Sequence, residues 1–591
     1  MFQPPDKVID TPNTVLLPRR APRGGRDATQ AGFRMPRPAR PAREPFAWLN
    51  DESRAFLASG YLLPGTTPEA RLRQIAERAE QLLPGMHGFA EKFLDYMGRG
   101  WYSLASPVWA NFGLNRGLPI SCFGSYVPDS MDGILSAAAE VGMMSKYGGG
   151  TSAYFGDLRG RGSPIRDNGQ SEGAVNFMRL FDTLIDVTKQ GATRRGSFAA
   201  YLPIEHPDAR EFLEIRGDGN PIQNLFFSVT VGDGWLNAMI AGDRDKRELW
   251  ARVLQQRSEV GLPYVLFTGN ADRGAADVYR DRGMPIRSSN LCSEISLPVS
   301  EDESFVCCLS SMNLLHFDEW AGTDAVETLV YFLDAVMSDF IEKSEGVPYL
   351  GRARRFAARH RALGLGVLGW HSYLQSRLVS LGSLVAAGLN RRVFKNVREA
   401  ADVASAELAR RYGEPELLEG YGRRNTTLMA IAPTTSSSFI LGQVSQSIEP
   451  LKSNYYVRDL AKAVTTFRNP ALAELLAEAD RDTPEVWRSI LEHDGSVQHL
   501  DFLSNEEKSV FATFSEVSQL DLVVQAGQRQ EFIDQGQSLN LMVHPATPTK
   551  DLNALHLEAW QRGLKSLYYQ HSMNAAQEFN RELLTCSVCE A

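Results

Sequence analysis

From Glu44 onward the chain alternates between two hydrophobic periods. The stretch PFAWLNDESRAFLASGYL and the run TPEARLRQIAERAEQLL repeat apolar residues every three to four positions. Thr67 followed by Pro68 is a helix start, a hydroxyl cap and then a residue whose fixed φ suits the first turn. Together they predict a small helical domain over residues 45–118. Further on, ELWARVLQQRSEV and AVETLVYFLDAVMSDFIEK keep the helical period, whereas SFAAYLPI, LFFSVTV and PYVLFTG have the composition of strands. Repeated alternation of this kind predicts an α/β architecture with a largely parallel sheet over residues 119–575. Periodicity leaves open whether that sheet is flat or closed into a barrel. Residues 1–44 are rich in Pro, Arg and Gly without any hydrophobic period, and predict a disordered basic arm. Residues 576–591 are read as a flexible tail.

Composition narrows the classes. Of 591 residues, 43% are hydrophobic and 23% charged, the balance of a soluble globular protein. A net charge of -9 argues against wrapping a nucleic-acid polymer. No apolar run reaches the length of a membrane span. The start, MFQPPDKVIDTPN, lacks a secretory pattern, and the Arg- and Pro-dense stretch after it lacks the helical apolar spacing of a transit peptide, so a cytoplasmic location is expected. The 6 cysteines are too few for a disulfide scaffold in a chain this long. Cys122 and Cys292 stand alone, Cys307 adjoins Cys308, and Cys586 and Cys589 close the chain. A single internal cysteine is most often a small buried hydrophobe. A thiol pair at a polar chain end is not, and points to redox chemistry.

Chemistry concentrates in SSNLCSEISLP. In a strand or extended loop, alternate residues point the same way, so Asn290, Cys292 and Glu294 would share one face. An amide to orient a hydroxyl, a thiol to react with the substrate and a carboxylate to move a proton form a usable set. Cys122 in PISCFGSYVPDSMD and Cys307 in FVCCLSSMNLL add two more thiols. Three separated thiols suggest that one reacts while two supply an electron pair by forming a disulfide, which requires Cα atoms within roughly 6 Å.

These elements resemble the active-site signature of ribonucleotide reductase catalytic subunits: NLCSEI, the CLSSMNL that follows and the SCF that precedes. LASPVWANFG is similar to the substrate loop of that family, SKYGGGTSAYFGDLRGRGSPI and KQGATRRGSFAAYLPIEHPDAREFLEIR to its two effector loops, and RALGLGVLGW, DQGQSLNLMV and LKSLYYQHSMN to further family segments. The resemblance runs in order from about Trp48 to the C-terminus. It implies a ten-stranded α/β barrel with the reactive cysteine on an interior finger loop, a setting that excludes water from a radical.

By this resemblance Cys292 is the thiyl-radical residue, Cys122 and Cys307 are the reducing pair, Glu294 is the base for the 3′-hydroxyl and Asn290 its hydrogen-bonding partner. Ser106 and Ser121 fall on the substrate side. APTTSSSFILG is a hydroxyl-rich turn leading into an apolar run, suited to cradling phosphate. The family places the substrate diphosphate there, which implicates Thr434, Ser436, Ser437 and Ser438. Thr435 departs from the Glu often found in the family, and Cys308 is a second departure, read as a buried spectator. Tyr568 and Tyr569 resemble the radical relay of class I enzymes, in which a small metal-containing β subunit makes the radical and no cofactor is bound in the large chain. Cys586 and Cys589 form a C-x-x-C shuttle that passes electrons from a thioredoxin- or glutaredoxin-like reductant to the active-site disulfide. An extended tail of ~15 residues reaches ~50 Å. Zinc is the competing reading of that pair, but His571 is the lone further ligand nearby.

The same resemblance implies a dNTP or ATP specificity effector held by Asp129, Arg159, Gln190, Arg194 and Arg195, and a homodimer that forms when the effector binds. An N-terminal ATP cone has no counterpart among the motifs. Alternatives are an adenosylcobalamin-dependent class II reductase, against which the tyrosine pair speaks; a silent nucleotide-binding regulator, against which the cysteine set speaks; and a glycyl-radical enzyme, which would need a glycine loop where Tyr568 and Tyr569 stand.

Overall fold

The strand at Phe305–Asn313 is the hub of the protein. It pairs antiparallel with Tyr102–Leu104 and with Cys122–Tyr126, and parallel with Leu363–Leu368. From Cys122–Tyr126 a parallel series continues through Gly150–Tyr154, Ser197–Pro203, Phe226–Val231 and Tyr264–Phe267. Ser566–Leu567 then joins antiparallel at the far edge. This computed structural model describes residues 44–190, 194–460 and 463–572.

Backbone bonds outside regular strands close the circle. Leu363 and Leu365 donate to Thr427 and Leu428 at 3.0 and 2.7 Å, Ile431 donates to Gly536 at 3.1 Å, and Tyr568 donates to Leu539 at 3.0 Å. Parallel bridges at Leu365–Met429 and Ile431–Gln537 mark the same two segments. The sheet of nine regular strands thus curls back on itself through residues 427–431 and 535–541. The resemblance implied ten strands; the two bridged segments are too short and irregular to count as strands by hydrogen-bond pattern.

Strands of a ring with helices outside are covered on both faces, which is why SFAAYLP and FFSVTV read as continuous apolar runs rather than alternating ones. The predicted helices are found at Pro68–Gln81, where the Thr67 hydroxyl accepts from Ala70 N–H, at Arg244–Val260 and at Ala325–Lys343. Ala325–Lys343 is buried along most of its length because it lies between the sheet and the N-terminal helices. Phe93 stacks on its Phe332 at 4.5 Å, and Arg78 donates to its buried Asp339 at 3.0 Å. One continuous apolar core therefore runs from Leu49 to Tyr569, spanning both the helical segment and the ring. Among the described residues no helix is long and apolar enough to cross a membrane.

Candidate active site

Asn290, Cys292 and Glu294 stand on an irregular loop gripped by the walls of the ring. Ser152 Oγ donates to the Ser289 carbonyl at 2.7 Å, the Tyr201 hydroxyl to that of Asn290 at 2.7 Å, and Ser566 Oγ to that of Ser293 at 2.6 Å. Buried carbonyls without strand partners need such donors, and here they come from three different strands. Gly150 lets the loop approach, since a Cβ there would lie 3.2 Å from the Leu291 side chain.

The three residues converge by a different route from the alternation expected of an extended segment. The loop turns at its tip, with Ser293 in the left-handed region at φ 68°. Asn290 Oδ1 accepts the N–H groups of Glu294 and Ile295 at 3.1 and 3.2 Å, and Asn290 Nδ2 donates to Glu294 Oε1 at 2.9 Å. A turn stapled by the Asn290 side chain replaces strand geometry.

Burial pushes the Glu294 carboxyl up to about 7, against the lowering effect of its own backbone N–H and of Asn290 and Ser538. Ser538 Oγ lies 2.9 Å from Glu294 Oε2 and 2.5 Å from the Cys292 carbonyl. Its single proton serves either acceptor, so it can donate to ionised Glu294, or accept from protonated Glu294 while donating to Cys292. The carboxyl can change protonation state without losing a partner.

Cys122 and Cys307 face each other directly across the antiparallel pair of Cys122–Tyr126 and Phe305–Asn313. Residues in that relation have Cα atoms about 4.5–5.5 Å apart, inside the span of a disulfide. Both are thiols in this structure, as are Cys292 and Cys308. Burial drives the Cys307 thiol well above its ordinary value. Cys308, one position on, points the opposite way and reaches the Leu333 carbonyl at 3.3 Å, among the helices outside the ring.

A cavity above these groups is lined by Ser106, Ser121, Cys122, Gly148–Gly150, Asn290, Cys292, Glu294 and the turn at Pro433–Ser437. Five of the six proposed substrate-side residues therefore meet at one opening: Ser106, Ser121, Thr434, Ser436 and Ser437. Ser438 lies behind the turn, buried, with its hydroxyl against Thr434 Oγ1 at 2.9 Å and the Ser445 carbonyl at 3.4 Å. Thr434 Oγ1 also accepts from Ser447 N–H at 2.7 Å. These two hydroxyls shape the turn, while Thr435, Ser436 and Ser437 edge the cavity.

Tyr568 and Tyr569 are buried with ring centroids 4.3 Å apart. Tyr264 packs on both, at 4.7 and 5.1 Å. Burial and then the neighbouring Tyr569 hold the Tyr264 hydroxyl well above its usual range, and Cys292 lies close enough to act on it as well. Asn540 Oδ1 accepts the Tyr569 N–H at 3.2 Å and so fixes the backbone of the pair. Cys586 and Cys589 lie outside the described residues.

The effector candidates divide between the two ends of the parallel strands: Asp129 and Arg159 follow the C-terminal ends of Cys122–Tyr126 and Gly150–Tyr154, whereas Gln190, Arg194 and Arg195 precede the N-terminal end of Ser197–Pro203. Arg159 pairs with Asp129 at 2.9 Å and donates its backbone N–H to the same carboxylate at 3.3 Å. Gln190 and Arg194 are opposite one another in a two-stranded ladder, with Lys189 opposite Arg195. That ladder packs against Met131–Lys146 and leads directly into Ser197, which lines the cavity.

Sequence reasoning assigned no role to Gln535, Ser538, Tyr201, Tyr264 or the cavity glycines. For Gln535 and Ser538 there was a signal: DQGQSLNLMV sets polar side chains into an apolar run, and polar groups carried into a core are there to meet partners.

A ring carrying a thiol loop over a facing thiol pair defines a class of radical-using reductases, and similarity to known proteins agrees. The family model "Ribonucleotide reductase, barrel domain" matches residues 120–245, 241–420 and 415–570, and the chain belongs to that family. The solved α subunit of the Actinobacillus ureae class Id ribonucleotide reductase is 59% identical and superposes with a TM-score of 0.86, covering 92% of this chain and 100% of its own. A Frog virus 3 relative is 37% identical over 87% of this chain and 94% of its own length. The ribonucleoside-diphosphate reductase large subunit of Invertebrate iridescent virus 3 is 34% identical, over 86% and 91%. Within the family this chain stands with the class I large subunits, oxidoreductases of deoxyribonucleotide synthesis.

Proposed function

We propose that this chain reduces ribonucleoside diphosphates to 2′-deoxyribonucleotides, with Cys292 as the thiyl radical that abstracts the 3′-hydrogen and Cys122 and Cys307 as the electron source. The register that sets Cys122 opposite Cys307, beneath the Cys292 loop, carries the reading. Replacing C2′–OH by C2′–H releases water and needs two electrons and two protons, which two thiols supply on becoming a disulfide. Glu294 takes the 3′-hydroxyl proton, and its pKa near the working pH suits a group that must accept a proton and return it. Asn290 holds Glu294 in place. The turn at Thr434–Ser437 takes the diphosphate through hydroxyls and backbone N–H groups, with Ser438 bracing it from behind. Ser106 and Ser121 contact the ribose side.

A class I large subunit works with a small β subunit whose metal centre supplies the radical, and with a dithiol reductant. Tyr568 and Tyr569, buried in contact between the Tyr264 strand and the Asn540 segment, are suited to relay that radical to Cys292. The terminal Cys586 and Cys589 would return electrons to the Cys122–Cys307 disulfide. Effector binding is assigned to Asp129, Arg159, Gln190, Arg194 and Arg195. The chain connection from Arg195 to the cavity residue Ser197 gives that site a short path to substrate choice. Homodimer formation is assigned to the paired helices Met131–Lys146 and Ala174–Val187, which leave Met131, Leu135, Leu180 and Val187 exposed.

The test is reduction of cytidine diphosphate with dithiothreitol and a deoxynucleotide effector, run once with a metal-loaded β subunit and once with adenosylcobalamin alone. Turnover only with the β subunit, abolished by Cys292→Ala, supports the assignment. Turnover with cobalamin alone, or turnover retained in Cys292→Ala, overturns it.

A further inference from the structure

Gln535 sits fully buried on the segment that closes the ring, with its side-chain amide held at both ends. Oε1 accepts the Ser296 N–H at 3.2 Å, and Nε2 donates to the Leu363 carbonyl at 2.8 Å. These contacts allow only one orientation of the amide, since a flip would set Oε1 against a carbonyl and Nε2 against an N–H. The second N–H then points at Cys307 Sγ, 3.4 Å away. Asn290 Nδ2 lies at the same 3.4 Å from Cys122 Sγ and gives its other N–H to Glu294, so each sulfur has one amide donor.

The two sulfurs differ in access. Cys122 is 8% exposed and lines the cavity, whereas Cys307 is 0% exposed. A Cβ at Gly364 would lie 3.1 Å from Cys307 Sγ, so the Leu363–Leu368 strand closes off that side. In thiol–disulfide exchange the incoming thiolate attacks one sulfur and negative charge collects on the other. Around Cys307 burial and the neighbouring Cys308 disfavour that charge, and Gln535 is the contact that favours it.

We propose that Gln535 is the hydrogen-bond donor that makes Cys307 the leaving sulfur when the Cys122–Cys307 disulfide is re-reduced, the incoming thiolate attacking Cys122. This rests on the reading of those cysteines as the reducing pair. One thiolate of a dithiol bonds to Cys122 Sγ, the disulfide breaks, and its electron pair passes to Cys307. That thiolate is held by the Gln535 N–H until it takes a proton. The second thiol of the reductant then displaces Cys122, leaving the reductant as its own disulfide and both cysteines as thiols.

The experiment uses the full chain carrying Cys586→Ser and Cys589→Ser, oxidised with diamide and treated first with a monothiol, 2-mercaptoethanesulfonate, then separately with dithiothreitol. Peptide mass spectrometry locates the mixed disulfide, and timed alkylation gives the reduction rate. The adduct is expected on Cys122. In Gln535→Met reduction should slow about tenfold or more, the loss expected for a hydrogen bond to a charged group, and part of the adduct should move to Cys307. A merely structural role would not move that partition. An adduct on Cys307 in the chain with native Gln535, which needs no Gln535 variant to fold, overturns the proposal, as does an unchanged rate and partition in Gln535→Met. If no Cys122–Cys307 disulfide forms at all, the reducing-pair reading fails with it.

Discussion

Cys122 and Cys307 are direct cross-strand neighbours, 185 positions apart in the chain and joined by the antiparallel register that seams the two halves of the ring. Cys308 belongs to the same strand but projects to the other face, toward Leu333. After one turnover without reductant, peptide mapping should therefore find Cys122 linked to Cys307 and Cys308 still alkylatable. Cys308→Ala should keep at least half the activity, while Cys122→Ser and Cys307→Ser each abolish multiple turnover. A Cys122–Cys308 link would contradict the register.

Glu294 gives a pH prediction with a definite sign. Its carboxyl is raised from 4.5 to about 7 by burial, so between those values the folded chain holds a proton that the unfolded chain has lost. Stability from this group therefore falls as pH rises through that window, by on the order of 3 kcal/mol once pH exceeds 7. Glu294→Gln should melt higher than the parent at pH 8 and close to it at pH 4, measured by scanning calorimetry. Turnover at pH 8, where the parent's Glu294 is ionised, should drop at least a hundredfold, the usual worth of a positioned base, and the gap should shrink toward pH 4, where the parent's carboxyl is already protonated. A melting difference independent of pH would mean the carboxyl is not protonated in the fold near neutrality.

Tyr264 packs on both Tyr568 and Tyr569, with its ring at 89° to that of Tyr569. Tyr264→Phe keeps the ring and removes the hydroxyl. Turnover with the β subunit should fall about tenfold while substrate affinity, read by equilibrium dialysis, stays within twofold. Tyr264→Ala should cost about 3–5 kcal/mol of stability, as for a buried aromatic removed from a core. If Tyr264→Phe leaves turnover untouched, the hydroxyl has no part in passing the radical.

Leu135 and Val187 are 53% and 67% exposed on helices that pack together, an apolar surface suited to a second copy. Light scattering with a deoxynucleotide effector should give twice the 65.5 kDa chain mass, and Leu135→Glu should hold it at one. A single-chain mass for the parent protein under the same conditions would dismiss this surface as the dimer contact.

Local sequence determined much of this protein. Thr67-Pro68 marked its helix because capping is a property of adjacent residues, and the apolar runs at Ser197–Pro203 and Phe226–Val231 marked strands because burial on both faces leaves a continuous hydrophobic signature. The resemblance named the thiols, Glu294 and the tyrosine pair through short ordered motifs. Tertiary structure alone decided how they meet. The Asn290–Glu294 group forms by a turn stapled through a side chain, which alternation along an extended segment does not foretell. Ser438 braces the hydroxyl turn while Ser436 faces the cavity, a difference set by which way each side chain points rather than by residue type. Gln535, Ser538 and Tyr264 gain their roles from partners more than 150 positions away. Sequence records propensity and pattern over a few residues, whereas register across the ring depends on the packing of the whole core, and that register sets one sulfur against another.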